Sequence, residues 1–314
     1  MRVVFLGTGD IGLPSLEALI QSKEHELLAV VTQPDKPVGR KQVLTPPAIK
    51  VRALKAGLPV LQPEKLRKES EILAAYPADV FVVVAYGQIL PQNVLDMPGN
   101  ACLNIHASLL PKYRGASPIQ AAIREGDAES GITIMWMDAG LDTGDILLQH
   151  KLPLTADETG GSLHDRLADI APAALEEALR LISTGAAPQI KQDEILATHT
   201  RKLERSHGKL DWSLSAVSLE RLVRAYCPWP GTYAQVQSGN VSPVQQLKIH
   251  SAAVVTGAES CPAPGTVLAT EPALLVACGE GVLELKEVQL EGRKRMPAGD
   301  FVRGFGLRTG DSLL

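Results

Sequence analysis

Between residues 103 and 115 the chain reads LNIHASLLPKYRG, and between 137 and 147 it reads MDAGLDTGDIL. Residues two apart on a strand share one face, so Asn104 and His106 project side by side where an apolar run ends. An amide and an imidazole placed together can both donate to a developing oxyanion, and each such donor lowers a barrier by about 3–4 kcal/mol. The pair therefore suits acyl or one-carbon transfer. The second stretch holds Asp138, Asp142 and Asp145 in a glycine-rich turn. Their spacing does not match a calcium loop and no histidine or cysteine joins them, so no metal site is expected. A carboxylate reaching back to His106 would favour the imidazolium and could accept a proton from an attacking amine. Asp142, central in the turn, is the expected one. Pro111 ends the strand, Ser108 and the loop backbone offer contacts to a planar polar ligand, and Lys112 and Arg114 offer charge to an anion.

Blander roles compete with these. Asn104 could satisfy a loop backbone and His106 could be a core histidine. His164 and His207 belong to no motif and are expected at the surface or in structural roles. A Ser-His-Asp hydrolase would need a GxSxG elbow, which the chain lacks. Residues 7–12, GTGDIG, satisfy GxGxxG directly after the first apolar run, as a dinucleotide-binding turn would. The acidic residue that should close the second strand is missing, because the chain runs into Thr32-Gln33-Pro34 before Asp35. Glycines serving a tight strand-to-helix turn are the preferred reading, and an NAD-dependent oxidoreductase is the rival from another reaction class.

The elements that must position these residues follow from hydrophobic patterning. Apolar runs at 2–6, 27–31, 79–85 and 102–108 alternate with helical patterns starting near Pro14 and spanning about 46–56. That alternation predicts βαβ units and a mostly parallel, Rossmann-like sheet. A helix over 118–126, strands at 131–137 and 145–154, and a helix over 162–185 complete the unit. Residues 1–189 are assigned to this domain and 190–206 to a surface linker. In 207–314, a helix over 211–226 precedes short apolar runs separated by Gly, Pro and Ser, which predicts a small OB-like β-barrel domain.

Composition narrows the classes. The 314 residues are 45% hydrophobic and 21% charged with a net charge of −4, as in a globular protein rather than one that coats nucleic acid by bulk charge. No 18-residue apolar run and no signal peptide occur, so a cytoplasmic protein with no membrane partner is expected. Cys102, Cys227, Cys261 and Cys278 form no CxxC pair and are expected to be reduced thiols.

NIHASLLPKYRGASPIQ followed by GITIMWMDAGLDTGDIL closely resembles the 10-formyltetrahydrofolate-dependent formyltransferase family, and in particular its methionyl-tRNA branch. The likeness extends to TQPDKPVGR (32–40), VVVAYGQILP (82–91), DWSLSA (211–216) and PWPGTYA (228–234), and so spans nearly the whole chain. It implies formyl transfer from 10-formyltetrahydrofolate, as co-substrate, to the α-amine of initiator methionyl-tRNA, with no metal and with a monomeric enzyme. It places the catalytic trio on Asn104, His106 and Asp142, and folate contacts on Ser108, Leu109, Leu110, Pro111, Tyr86, Gly87 and Ile89. Contacts to tRNA fall on Arg40 and Lys41 in the acceptor-stem loop KPVGRKQVLTPP (36–47), on Lys112 and Arg114, and on Arg293, Lys294 and Arg295 in EGRKRM.

Departures from the family pattern are Gly7-Thr8-Gly9 where GTP is common, Lys41-Gln42-Val43 where a glycine and two lysines are common, and Cys227 where asparagine is usual. The second makes the loop less basic. Rival readings within the resemblance are a formyltransferase for an amino sugar or a nucleotide amine, and a tRNA-binding module whose sheet domain is inactive.

Overall fold

The computed structural model of the chain describes residues 1–39, 41–237, 244–257 and 262–314. It divides into two compact units, Met1–Pro118 with Glu129–Pro153 and His164–Thr200, and Ile119–Ala128 with Leu154–Leu163 and Arg201–Leu314.

The first unit is built from β1 (Arg2–Gly7), α1 (Leu13–Gln21), β2 (Glu26–Val31), β3 (Lys36–Val38), β4 (Val43–Thr45), α2 (Ala48–Lys55), β5 (Val60–Leu61), β6 (Val80–Val84), α3 (Gln92–Leu95), β7 (Ala101–His106) and β8 (Arg114–Gly115). α4 (Pro118–Glu125) falls almost wholly in the second unit, and the first resumes with β9 (Glu129–Trp136), β10 (Ile146–Pro153), α5 (Gly160–Ser183) from His164 onward, and β11 (His199–Thr200). Seven strands form one sheet in the order β10-β9-β7-β6-β1-β2-β5. It is parallel from β5 through β7 and turns antiparallel at β9 and β10. β6, VFVVV, is buried at every position, because a central parallel strand has no wet face and so needs a continuous apolar run.

The Rossmann-like expectation is met, with an antiparallel β9–β10 hairpin at one edge. One core cluster gathers Val4, Leu6, Phe81, Val83, Tyr86 and Cys102. Burial pushes the Cys102 thiol up to about 12, so it stays protonated and inert. Where a loop was expected at 36–47, β3 and β4 pair as a small hairpin with exposed strands.

Residues 190–206, expected as a surface linker, hold more structure than their weak periodicity suggested. Ile190 bridges Ile146, residues 194–196 and 205–208 form short helical turns, and β11 pairs in parallel with β8. Pairing of single residues with distant loops leaves no repeating pattern in sequence, which is why periodicity could not find it.

The second unit holds α6 (Ala216–Ala225), β12 (Thr232–Val236), β13 (Gln245–Val255), β14 (Val267–Ala269), β15 (Leu274–Ala277), β16 (Val282–Leu290), β17 (Met296–Pro297) and α7 (Ala298–Phe305). Its antiparallel sheet runs β12-β13-β16-β15-β14, with β17 added to β16. Register shifts on either side of Ser251 leave one extra residue on β13, His250, and one on β16, Lys286, and such irregularities bend an antiparallel pair into the curl of an OB-like domain. Leu219, Leu247, Val276, Leu285 and Phe301 fill its core. The short β17 and α7 were not expected from the sequence.

Cys261 lies outside the described residues, and among the described residues Cys102, Cys227 and Cys278 take part in no disulfide. Among the described residues no helix is long and apolar enough to cross a membrane.

Candidate active site

Asn104 and His106 stand on β7, with Asn104 opposite Val83 and Met135 and His106 opposite Thr133. Hydrogen-bonded ladders on both sides of β7 fix this register, so the two side chains leave the same face at a set spacing. His106 is buried, and its Nε2 lies 3.0 Å from the Tyr113 carbonyl oxygen. A carbonyl can only accept, so Nε2 carries a hydrogen and donates it. The remaining ring atom, Nδ1, faces Asp142.

Asp142 lies in the loop between β9 and β10. Gly144 permits the tight return of that loop, since a Cβ there would fall 1.8 Å from the Trp136 carbonyl oxygen. Asp142 itself has φ 54°, a left-handed conformation that costs a side-chain-bearing residue of order 1–3 kcal/mol. The conformation brings its carboxylate to three groups. Asn104 Nδ2 donates to Oδ1 at 3.2 Å, the Gly115 backbone N–H donates to Oδ2 at 2.8 Å, and His106 Nδ1 stands 3.6 Å from Oδ2. His106 is 6% and Asp142 13% exposed, so charge in this group is screened far less than in open water. The arrangement can present N–H groups to an oxyanion while a carboxylate stands ready for a proton.

The other two aspartates of the turn go elsewhere. Asp138 accepts from Gly140 N at 3.1 Å and from Thr143 Oγ1 at 2.8 Å, while the Asp145 carbonyl accepts from Trp136 N at 2.9 Å. Among the described residues no group of His, Cys, Asp or Glu could hold a metal ion.

The turn after β7 is internally bonded. Ser108 is buried, donates its hydroxyl to the Lys112 carbonyl at 2.6 Å, and accepts from Thr133 Oγ1 at its own carbonyl at 2.6 Å. Leu110, also buried, donates its N–H to Thr133 Oγ1 at 3.1 Å and accepts from Gln149 Nε2 at 2.8 Å. The hydrogen of the Ser108 hydroxyl is thereby committed to shaping the turn, and its oxygen keeps acceptor capacity. Leu109 and Pro111 are only half-buried. At the carboxyl end of β6, Tyr86 is buried, its hydroxyl pushed up to about 12 by burial, while its carbonyl accepts from Thr8 Oγ1 and Gln33 Nε2 at 2.8 and 2.9 Å. Gly87 and Ile89 are exposed beside it.

Arg114 requires a correction. Expected to meet an anion from outside, it is 1% exposed, forks onto Glu194 at 2.7 and 3.0 Å, and donates from Nε to Gln192 at 3.0 Å. The bidentate bond raises the guanidinium pKa and lowers that of Glu194. Lys112 is exposed and lies 5.9 Å from the Tyr113 ring centroid, and Lys41 is exposed in the β3–β4 turn. Arg40 lies outside the described residues. Arg293, Lys294 and Arg295 are exposed between β16 and β17, with Arg295 paired to Glu287. His164 pairs with Asp10 at 3.2 Å, and His207 caps a short helical turn. Gly12 packs closely, a Cβ there falling 3.2 Å from Phe5 and 3.3 Å from Val84, which accounts for one glycine of GTGDIG without a dinucleotide.

Sequence reasoning passed over Gln192, Glu194 and Thr198. Gln192 Nε2 donates to the carbonyls of Asp142 and Gly144, each at 2.8 Å. Thr198 accepts from Tyr113 N at Oγ1, at 2.8 Å. A lone Gln and Thr in a segment without periodicity carry no local signal of either contact.

Residues 1–179 match the family profile described as formyl transferase, and 202–306 match formyl transferase, C-terminal domain. The methionyl-tRNA formyltransferase of Akkermansia muciniphila is 48% identical over 97% of this chain and 96% of its own. That of Pseudomonas paraeruginosa is also 48% identical, over 96% of this chain and 94% of its own. Among solved structures, WlaRD, a sugar 3N-formyl transferase crystallised with dTDP and 5-N-formyl-THF, superposes with a TM-score of 0.65 at 18% identity, covering 94% of this chain and 99% of that one. At that identity the likeness concerns the fold.

Proposed function

The chain belongs to the methionyl-tRNA formyltransferases of the formyl transferase family, and on that premise we propose that Asn104, His106 and Asp142 carry the reaction. The enzyme transfers a formyl group to the α-amine of methionyl-tRNA. We assign 10-formyltetrahydrofolate as the donor and initiator methionyl-tRNA as the acceptor.

The donor supplies an electrophilic one-carbon group. The amine forms a bond to the formyl carbon, the bond from that carbon to the donor nitrogen breaks, and the proton the amine gives up ends on that nitrogen, which leaves as a neutral amine. Asn104 has two amide hydrogens: one goes to Asp142 at 3.2 Å, and the other is available to the formyl oxygen as it gains charge. With Nε2 committed to Tyr113, His106 acts through Nδ1, donating to the same oxygen as the imidazolium. Asp142 orients both and takes the amine proton, directly or through water. The convergence of these three side chains on one buried spot carries the reading.

The rim fits a flat heteroaromatic co-substrate. Half-buried Leu109 and Pro111 and exposed Ile89 offer apolar surface, with exposed Gly87 and buried Ser108, Leu110 and Tyr86 as their neighbours in sequence. We assign 1–189 to catalysis, 190–206 to a connection, and 207–314 to tRNA contact. Arg40, Lys41, Lys112, Arg293, Lys294 and Arg295 then meet the phosphate backbone, and affinity falls with salt. We place the enzyme in the cytoplasm as a monomer.

The test is direct. The protein is incubated with methionyl initiator tRNA and 10-formyltetrahydrofolate, and the aminoacyl group is released and examined for formyl-methionine. No product, or formylation of an amino-sugar nucleotide in preference to the tRNA, overturns the assignment.

A further inference from the structure

Four described residues other than glycine have positive φ, and two of them flank the site: Asp142 at 54° and Tyr113 at 63°. Asp142 supplies the carboxylate, and Tyr113 supplies the carbonyl that receives His106 Nε2. Residues held in such conformations stay there only where their surroundings fix them.

Both are fixed by the same segment. Ile190 exchanges backbone hydrogen bonds with Ile146, at 2.8 and 3.0 Å. Two residues on, the Gln192 amide donates one hydrogen to the carbonyl of Asp142 and the other to that of Gly144, while its oxygen accepts from Arg114 Nε. Both amide hydrogens and one of the two acceptor positions on the oxygen are thus used. Thr198 brackets Tyr113: its hydroxyl accepts from Tyr113 N at 2.8 Å, its carbonyl from Arg114 N at 2.8 Å, and its N–H donates to the Pro111 carbonyl at 3.3 Å. The chain then passes so close to Gly115 that a Cβ there would fall 2.3 Å from the Thr200 carbonyl oxygen. Gly115 is also the residue whose N–H holds the Asp142 carboxylate.

We propose that Ile190–Thr200 is a strap that holds the catalytic geometry at two points, Gln192 positioning Asp142 and Thr198 positioning the carbonyl partner of His106. This rests on the trio assigned above. Gln192 and Thr198 are positioning residues: Gln192 acts through Asp142, and Thr198 through Tyr113 on His106.

Misplacing a reacting group by about 1 Å can cost about 10²-fold in rate. Single-turnover formyl transfer in Gln192→Ala is expected to fall by that order, with the KM values for both substrates unchanged. In an Asp142→Asn background the same change should cost no more than about twofold, because coupled residues are not additive. Thr198 gives an independent arm with an isosteric variant. Thr198→Val should slow transfer and Thr198→Ser should restore it, and the Val effect should vanish in a His106→Ala background.

Additive losses in both cycles, or a raised KM with rate unchanged, overturn the strap while leaving the trio in place. Near-normal rates in Asp142→Asn and His106→Ala themselves overturn the trio, and the strap with it.

Discussion

Asp142 Oδ2 lies 3.6 Å from His106 Nδ1 and accepts the Gly115 backbone N–H at 2.8 Å, while His106 Nε2 is turned away to the Tyr113 carbonyl. One ring nitrogen is therefore anchored and the other is held for chemistry, a division of labour that sets the expected effects of substitution.

His106→Ala and Asp142→Asn should each reduce single-turnover formyl transfer by about 10²–10⁴-fold, the usual range for a positioned acid or base. Both side chains are almost fully desolvated, so water cannot readily take their place. Rapid-quench measurement of formyl-methionyl-tRNA at saturating donor distinguishes this from weakened binding. A rate within a few-fold of wild type in either variant would remove that residue from the assignment.

Asn104→Ala removes one oxyanion donor and should cost about 10²–10³-fold in kcat. Asn104→Asp should be worse. It sets a second carboxylate against Asp142 Oδ1, where the amide now donates at 3.2 Å. Comparing kcat for the two variants tests whether the amide serves as donor: equal losses would assign it a role in packing alone.

Arg114 and the exposed cations should separate by salt dependence. Arg114→Met should cost about 1–3 kcal/mol of stability, since it strands the Gln192 carbonyl oxygen and the Glu194 bond. It should leave the slope of log Kd for tRNA against log salt unchanged. Lys294→Ala, on an exposed turn, should leave the melting temperature alone and reduce that slope by about 1. A changed slope in the Arg114 variant would return it to the tRNA interface.

Glu194 introduces a pH dependence of definite sign. Its carboxyl pKa is lowered from 4.5, chiefly by the hydrogen bond to Arg114, so the pair adds stability above the unfolded value that is lost as pH falls through the lower folded one. Amide exchange in Ile190–Thr200 should accelerate as pH drops below about 4.5, after correction for the intrinsic rate. Glu194→Gln should lack that acid-side change while exchanging faster at neutral pH. Since the Glu194 side chain is 71% exposed, the effect should stay local to the strap rather than govern global unfolding.

What the sequence determined by itself is what repeats along it or sits close together in it. The continuous apolar run of β6 marks a strand buried on both faces, and the two-residue spacing of Asn104 and His106 sets them on one face, because backbone periodicity is local. The turn carrying Asp142 could be named for its chemistry, and so could the glycine-punctuated second unit. What only the tertiary structure decided is where single polar groups find their partners across the chain. Arg114 looks the same in sequence whether it faces phosphate or folds onto Glu194, 80 residues away. Gln192 and Thr198 lie in a stretch with no pattern, because a strap is held by individual hydrogen bonds to distant carbonyls and amides rather than by a repeating apolar face. Such bonds depend on which loops the completed sheet brings together, and no local rule encodes that.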